Sequence, residues 1–125
     1  MRNLATAAVG AACLVLGAGG ATLINAATGP HIYSVYEANV SDEAAYTKAL
    51  PEVDKIIKEN GGQRVAGGFN KTKLLSGLPV GNRYVIIRWD DIAAYEKAWD
   101  GGIKAWVNKN APDARQILAE GVEPK

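Results

Sequence analysis

The 125 residues carry 14 basic and 13 acidic side chains, a formal net charge of +1, and 48% of them are apolar. This is the balance of one ordinary globular domain, too short for two and too apolar for its charge to be a disordered chain. It also speaks against a nucleic-acid partner, because phosphate binding depends on many gathered Lys and Arg, and the nearest thing to a cluster, Lys71 and Lys73, reads as a solvated turn.

The first thirty residues differ from the rest. Arg2 is followed by an uncharged stretch from Leu4 to Ala27, rich in Ala, Gly, Leu and Val, and every Trp, Tyr and Phe comes later. A basic start, an apolar run and a small-residue end make a secretory signal. Ile24-Asn25-Ala26 places acceptable residues at the two positions a signal peptidase inspects, so residues 1–26 are expected to be a signal peptide cleaved after Ala26. The run is also long enough to span a bilayer. An uncleaved anchor over residues 4–26 is therefore the alternative, weakened by Gly10, Gly17, Gly19, Gly20 and the alanines, which add little to insertion. A lipoprotein signal on Cys13 is discounted, since Val9-Gly10-Ala11-Ala12 lacks the expected Leu and the apolar run continues past it. Cys13 is the sole cysteine, so the domain that follows is expected to have no disulfide, thiolate metal site or thiol nucleophile. The expected location is the periplasm or the exterior, with no membrane contact unless the N-terminal segment is retained.

Residues 31–40 are rich in β-branched and aromatic side chains and predict a first strand, with Ile32, Ser34, Tyr36, Ala38 and Val40 on one face and Tyr33, Val35, Glu37 and Asn39 on the other. Ser41-Asp42 predicts a helix cap, and Ala45, Ala49, Val53, Ile56 and Ile57 recur at helical spacing after it. Pro51 is expected to kink or split that helix, and Asn60-Gly61-Gly62 to end it. Residues 63–69 predict a second strand, with residues 72–75 as a short hairpin arm and residues 77–82 as a turn-rich connection. Residues 83–89, with the unbroken run Val85-Ile86-Ile87, predict a central strand covered on both faces. Asp90-Asp91 caps a second helix carrying Ile92, Tyr95, Ala98 and Trp99. Gly101-Gly102 breaks it, a short helix with Trp106 follows, and residues 114–122 predict a last strand.

The order strand, helix, strand, strand, helix, strand predicts an α+β, ferredoxin-like βαββαβ domain over residues 31–123, a four-stranded antiparallel sheet with two helices on one face. The other sheet face is left bare and partly apolar, which marks an interface. Two such sheets meeting face to face give a homodimer, a dimeric α/β barrel, and a core of this modest size gains from the pairing.

Several segments then line up with one family. YSVYEANVSDEAAY from Tyr33, Leu50-Pro51, GGQRVAGG from Gly61, LLSGLPVGNRYVIIRW from Leu74 and ILAEGV from Ile117 resemble, in order and spacing, the uncharacterised-domain family 1330 of the dimeric α/β-barrel superfamily. The resemblance covers nearly the whole domain. It implies a ferredoxin-like protomer and a dimer with stacked sheets, and no particular reaction, since cousins include cofactor-independent monooxygenases, lactone isomerases, haem-degrading enzymes and plain binding proteins. The chain departs from the family pattern where a Trp-Tyr pair and a Ser-Pro-Glu-Tyr-like stretch are replaced by Ala98-Trp99 and Gly101-Gly102-Ile103, and where an acidic residue of the third strand is replaced by Arg88.

Glu37, Arg83 and Glu120 match family positions, and with neighbouring strands they are expected to form a charged group at one rim of the sheet, Arg83 and Glu120 as members of a structural ion pair. A carboxylate near an Arg also serves as a base or orients a substrate, so Glu37 and Arg88 are the candidate catalytic residues. Trp89, Trp99 and Trp106, with Tyr33, are the candidate walls of a cleft for a flat apolar ligand; the competing expectation is that the tryptophans are ordinary core. His31 is the sole histidine and makes no metal site by itself. Ser34, Ser41 and Ser76 lack an evident base, and the glycine pairs match no phosphate loop. Nothing calls for a cofactor or metal.

Three functions follow. The first is a binding module that holds a small apolar or aromatic molecule in a sheet–helix cleft. The second is an enzyme of the same shape, a cofactor-independent monooxygenase or isomerase using Glu37 or Arg88 to stabilise an enolate-like intermediate. The third is a structural envelope dimer. The absence of a recognisable acid–base pair or metal set in the sequence favours the first.

Overall fold

The computed structural model describes residues 30–122. The signal or anchor read over residues 1–26, Cys13 included, lies outside the described residues, as does residue 123. The described chain runs β1 (Ile32–Ala38), α1 (Glu43–Glu59), β2 (Gln63–Phe69), β3 (Arg83–Trp89), α2 (Ile92–Ala98), a π-helical turn (Trp99–Ile103), α3 (Lys104–Asn110) and β4 (Arg115–Glu120). The strands lie in the order β2-β3-β1-β4, every neighbouring pair antiparallel. This is the α+β, ferredoxin-like arrangement that the element order predicts.

Register decides the two faces. Ile32 pairs with Trp89, Ser34 with Ile87, Tyr36 with Val85 and Ala38 with Arg83. Side chains alternate along a strand and paired residues share a face, so these eight form one row pair, and all eight are buried. Tyr46, Val53 and Ile57 of α1, Tyr95 and Ala98 of α2, and Ile103, Trp106 and Val107 cover them and complete the core. The opposite face carries Tyr33, Val35 and Glu37 against Arg88, Ile86 and Tyr84, and these remain half-buried. Within one protomer β3 is therefore covered on one face only. Its apolar run has Ile86 on the open side.

The helices start where carboxylates accept their free N–H groups. Asp42 accepts from Ala45 N at 3.0 Å and Asp91 from Ala94 N at 2.8 Å. α1 ends at Asn60, with Gly61 in the left-handed region at φ 80°. Pro51 does not split α1, which runs through it as one helix. Pro51 and Thr47, whose carbonyl loses its donor, are both exposed, which lowers the cost of the lost bond, while Tyr46, Val53 and Ile57 hold both halves of the helix on the sheet. As expected, Gly101-Gly102 breaks the second helical segment: α2 and α3 meet across a kink at Gly102, whose backbone is not helical. Lys104 N donates to the Trp99 carbonyl, a five-residue closure, and Gly102 sits at φ 145°, where a Cβ would stand 2.6 Å from Ile56 Cδ1.

Two further expectations are corrected. Residues 72–75 form no strand: Asn70, at φ 55°, turns the chain out of β2, and its N–H donates to the Asn82 carbonyl at 2.8 Å, closing an exposed loop. β4 is shorter than residues 114–122. Among the described residues no helix is long and apolar enough to cross a membrane.

Candidate functional site

Three polar residues stand in the buried rows where an apolar strand pattern would have none. In β1, Ser34 and Tyr36 alternate with half-buried neighbours, and in β3 Arg83 shares its row with Val85, Ile87 and Trp89. Ser34 is 2% exposed and Arg83 6%. Ser34 Oγ accepts a hydrogen bond from Trp89 Nε1 at 3.0 Å. The Tyr36 hydroxyl is bonded to that of Tyr46, in the first turns of α1, at 3.0 Å.

Arg83 is enclosed by aromatic rings. Its guanidinium carbon lies 4.8 Å from the Phe69 ring centre and 5.5 Å from that of Tyr46. Tyr46 in turn meets Phe69 and Trp106 edge to face, at 5.4 and 5.1 Å, and Trp106 Nε1 donates to the Ala49 carbonyl at 2.9 Å, tying α3 to α1. Ring faces stabilise a cation by about 0.5–2 kcal/mol each, less than the several kcal/mol that burying a charge costs, and they supply no acceptor for an N–H. Arg83 Nε is buried without a hydrogen-bond partner, and among the described residues no carboxylate lies within ion-pair distance of Arg83.

Ser34, Tyr36, Tyr46, Arg83, Trp89 and Trp106 help to wall a cavity of about 50 Å³ between the sheet and the helices, reaching toward Arg64 and Gln116. Its remaining walls are apolar or aromatic and include no Asp or Glu. Burial, and after it Tyr46, pushes the Tyr36 hydroxyl far above its ordinary value; Arg83 pulls the other way, and the negative charge of Asp113 adds to the rise. Tyr36 therefore stays a neutral donor and acceptor.

The open face is different in kind. Glu37 Oε2 accepts from Gly81 N at 2.5 Å, and Oε1 accepts from Arg115 Nε at 2.8 Å. Gly81 presses so close that a Cβ there would meet the Ala38 carbonyl oxygen at 2.2 Å. The Gly81 N–H first, and Arg115 after it, hold the Glu37 carboxyl below its ordinary 4.5. A carboxylate so held is a poor general base at neutral pH. A shallow groove of about 200 Å³ runs beside it, between Val35, Tyr84, Ile117 and Val80.

The sequence-predicted site residues separate accordingly. Arg83 faces the helices and Glu37 the open side. Arg83 pairs with Ala38, whereas Glu120 pairs with Ile32 at the far end of β1, so Arg83 and Glu120 form no ion pair and no three-residue rim group exists. Glu37's partner is Arg115, which the sequence reading passed over. Arg88 is on the open face but opposite Tyr33, about 13 Å along β1 from Glu37, and donates to Gln63 Oε1 at 2.6 Å. Trp89 and Trp106 are core residues that also line the cavity. Trp99 is half-buried and stacks on Tyr95 at 6.2 Å, and Tyr33 lies on the other side of the sheet. The Tyr36–Tyr46 pair, also missed, had one sequence signal: a hydroxyl in the buried parity of β1.

No protein-family model matches the chain, and no curated protein matches it. Among solved structures, the RPA0582 protein of unknown function from Rhodopseudomonas palustris is similar, with a TM-score of 0.58 and 14% identity over 77% of this chain and 85% of that one. The methylated form of RPA0582 gives 0.58 and 17% over 77% and 84%. At this identity the likeness shows a shared fold.

Proposed function

We propose that the domain is a binding module that seats a small molecule between its sheet and its helices. The observation that carries this reading is the cavity itself: an apolar and aromatic enclosure with a few polar groups set into it, on the buried side of the sheet, the usual make-up of a ligand site. The size narrows the ligand. About 50 Å³ is roughly a third of the ~150 Å³ that takes a benzene ring, so a ligand of a few non-hydrogen atoms is favoured over the flat aromatic molecule expected from the tryptophans. The enzyme reading loses support because Glu37 and Arg88 stand outside the cavity. Screening small organic molecules by NMR tests the proposal. Shifts confined to Ser34, Val85 and the Trp106 indole support it, and no shifts across the screen refute it.

A second part of the reading is a homodimer through the open face. Val35, Ile86 and Ile117, the last 64% exposed, form its apolar middle, and exposed Leu74, Leu75 and Leu78 extend the apolar surface into the loop beside it. The resemblance to family 1330 supports the same pairing. Sedimentation of the chain over a range of concentrations tests it, a monomer throughout being the adverse result. Export is the accompanying proposal, supported by the pattern of residues 1–26 and tested by N-terminal sequencing of protein from separated cell fractions.

A further inference from the structure

Resting on the binding reading, we infer that the ligand is a small monocarboxylate, its charge met by Arg83. The inference comes from counting donors and acceptors on the cavity wall. Arg83 brings a fixed positive charge, permanent at any physiological pH, and an Nε–H that has no acceptor. Tyr36 and Tyr46 carry two hydroxyl hydrogens, and their mutual bond uses one, leaving one to donate. Ser34 Oγ spends an acceptor site on Trp89 and keeps its own hydrogen.

Gln116 and the Tyr95 hydroxyl, also on the wall, each offer both a donor and an acceptor and no charge, so what the wall leaves unanswered is positive charge. Arg64, the other cation lining the cavity, is already matched by Asp54 at 2.6 Å, which leaves Arg83 as the unmatched one. A carboxylate is acceptor-only and takes a guanidinium well, and its short apolar tail suits the Val85, Ile87 and Leu50 side of the cavity. The volume of about 50 Å³ holds only a few non-hydrogen atoms, which suits a short chain. A neutral ligand of the same shape would leave the buried charge uncompensated.

The test is an NMR titration of the full chain with sodium propionate, and in parallel with propionamide, which has the same shape and no charge, at constant ionic strength. Propionate is expected to bind at least about tenfold more tightly and to move the Arg83 Nε–H resonance downfield. Arg83→Gln is expected to abolish that preference and leave propionamide binding within about twofold. Should the variant fail to fold, the Nε–H resonance of the unaltered protein decides. Equal affinity for the two compounds, or sodium chloride reproducing the propionate shifts, overturns the carboxylate assignment while binding in the cleft stands. Neither compound moving Ser34, Val85 or the Trp106 indole overturns this assignment, and the screen of other small molecules then judges the cleft separately.

Discussion

One sheet presents two faces built from the same strands, and they treat charge in opposite ways. On the open face Glu37 is met by a backbone N–H and by Arg115, whose side chain is 79% exposed. On the helix side Arg83 is enclosed with aromatic rings for company and, among the described residues, no carboxylate within ion-pair distance. A matched charge at the surface is explained by structure alone. An unmatched charge in the interior costs stability, so the helix side is where a ligand has something to supply.

The largest effect that separates the faces is on stability. Trp89→Ala removes a side chain 1% exposed and leaves Ser34 without its donor, so about 3–5 kcal/mol should be lost in urea unfolding. Ile86→Ala, one strand position from Ile87 but on the half-buried side, should cost about 1 kcal/mol. Equal losses would mean that the open face is as well packed as the closed one in solution, as a tight dimer would make it. Tyr36→Phe comes next: it strips the buried Tyr46 hydroxyl of its partner and should cost about 1–2 kcal/mol, with any carboxylate affinity falling too. Ile117→Asp should leave the fold unchanged to circular dichroism and shift sedimentation to the monomer, since Ile117 is largely exposed in the protomer.

The smallest effect is the pH dependence of Glu37. Its carboxyl is held lower in the folded than in the unfolded chain, so the folded state binds fewer protons. The stabilisation is complete above the ordinary 4.5 and is lost as pH falls through the lower folded value. The stability gap between the natural protein and Glu37→Gln should therefore be constant from neutral pH to about 5 and close below it. A gap that persists undiminished at pH 2 would sever Glu37 from the ion pair and the Gly81 bond.

Local chemistry made much of the fold legible. Asp42 and Asp91 are capping residues wherever a helix follows, because they offer an oxygen to free N–H groups. The alternation in residues 32–38 and 83–89 marked strands, and the element order marked the sheet. Whether Pro51 splits α1 was not legible, because its cost depends on whether water can reach the freed carbonyl, which is a property of the packed helix. The site was less legible. Parity showed that Ser34 and Tyr36 share a row with Ile32, and that Arg83 shares one with Trp89, but parity does not say which row of one strand faces the same way as which row of another.

What the sequence by itself determined, then, is the set of strands and helices, their caps, and the two side-chain rows of each strand, all consequences of backbone sterics and local hydrogen bonding. The tertiary structure alone decided that Ala38 pairs with Arg83 and Ile32 with Glu120. That register puts Arg83 under Tyr46, far from Glu120 and on the other face from Glu37. Register is set by the packing of helices on one sheet face, a long-range fit in which a shift of one residue turns every side chain over, and that fit enclosed the arginine.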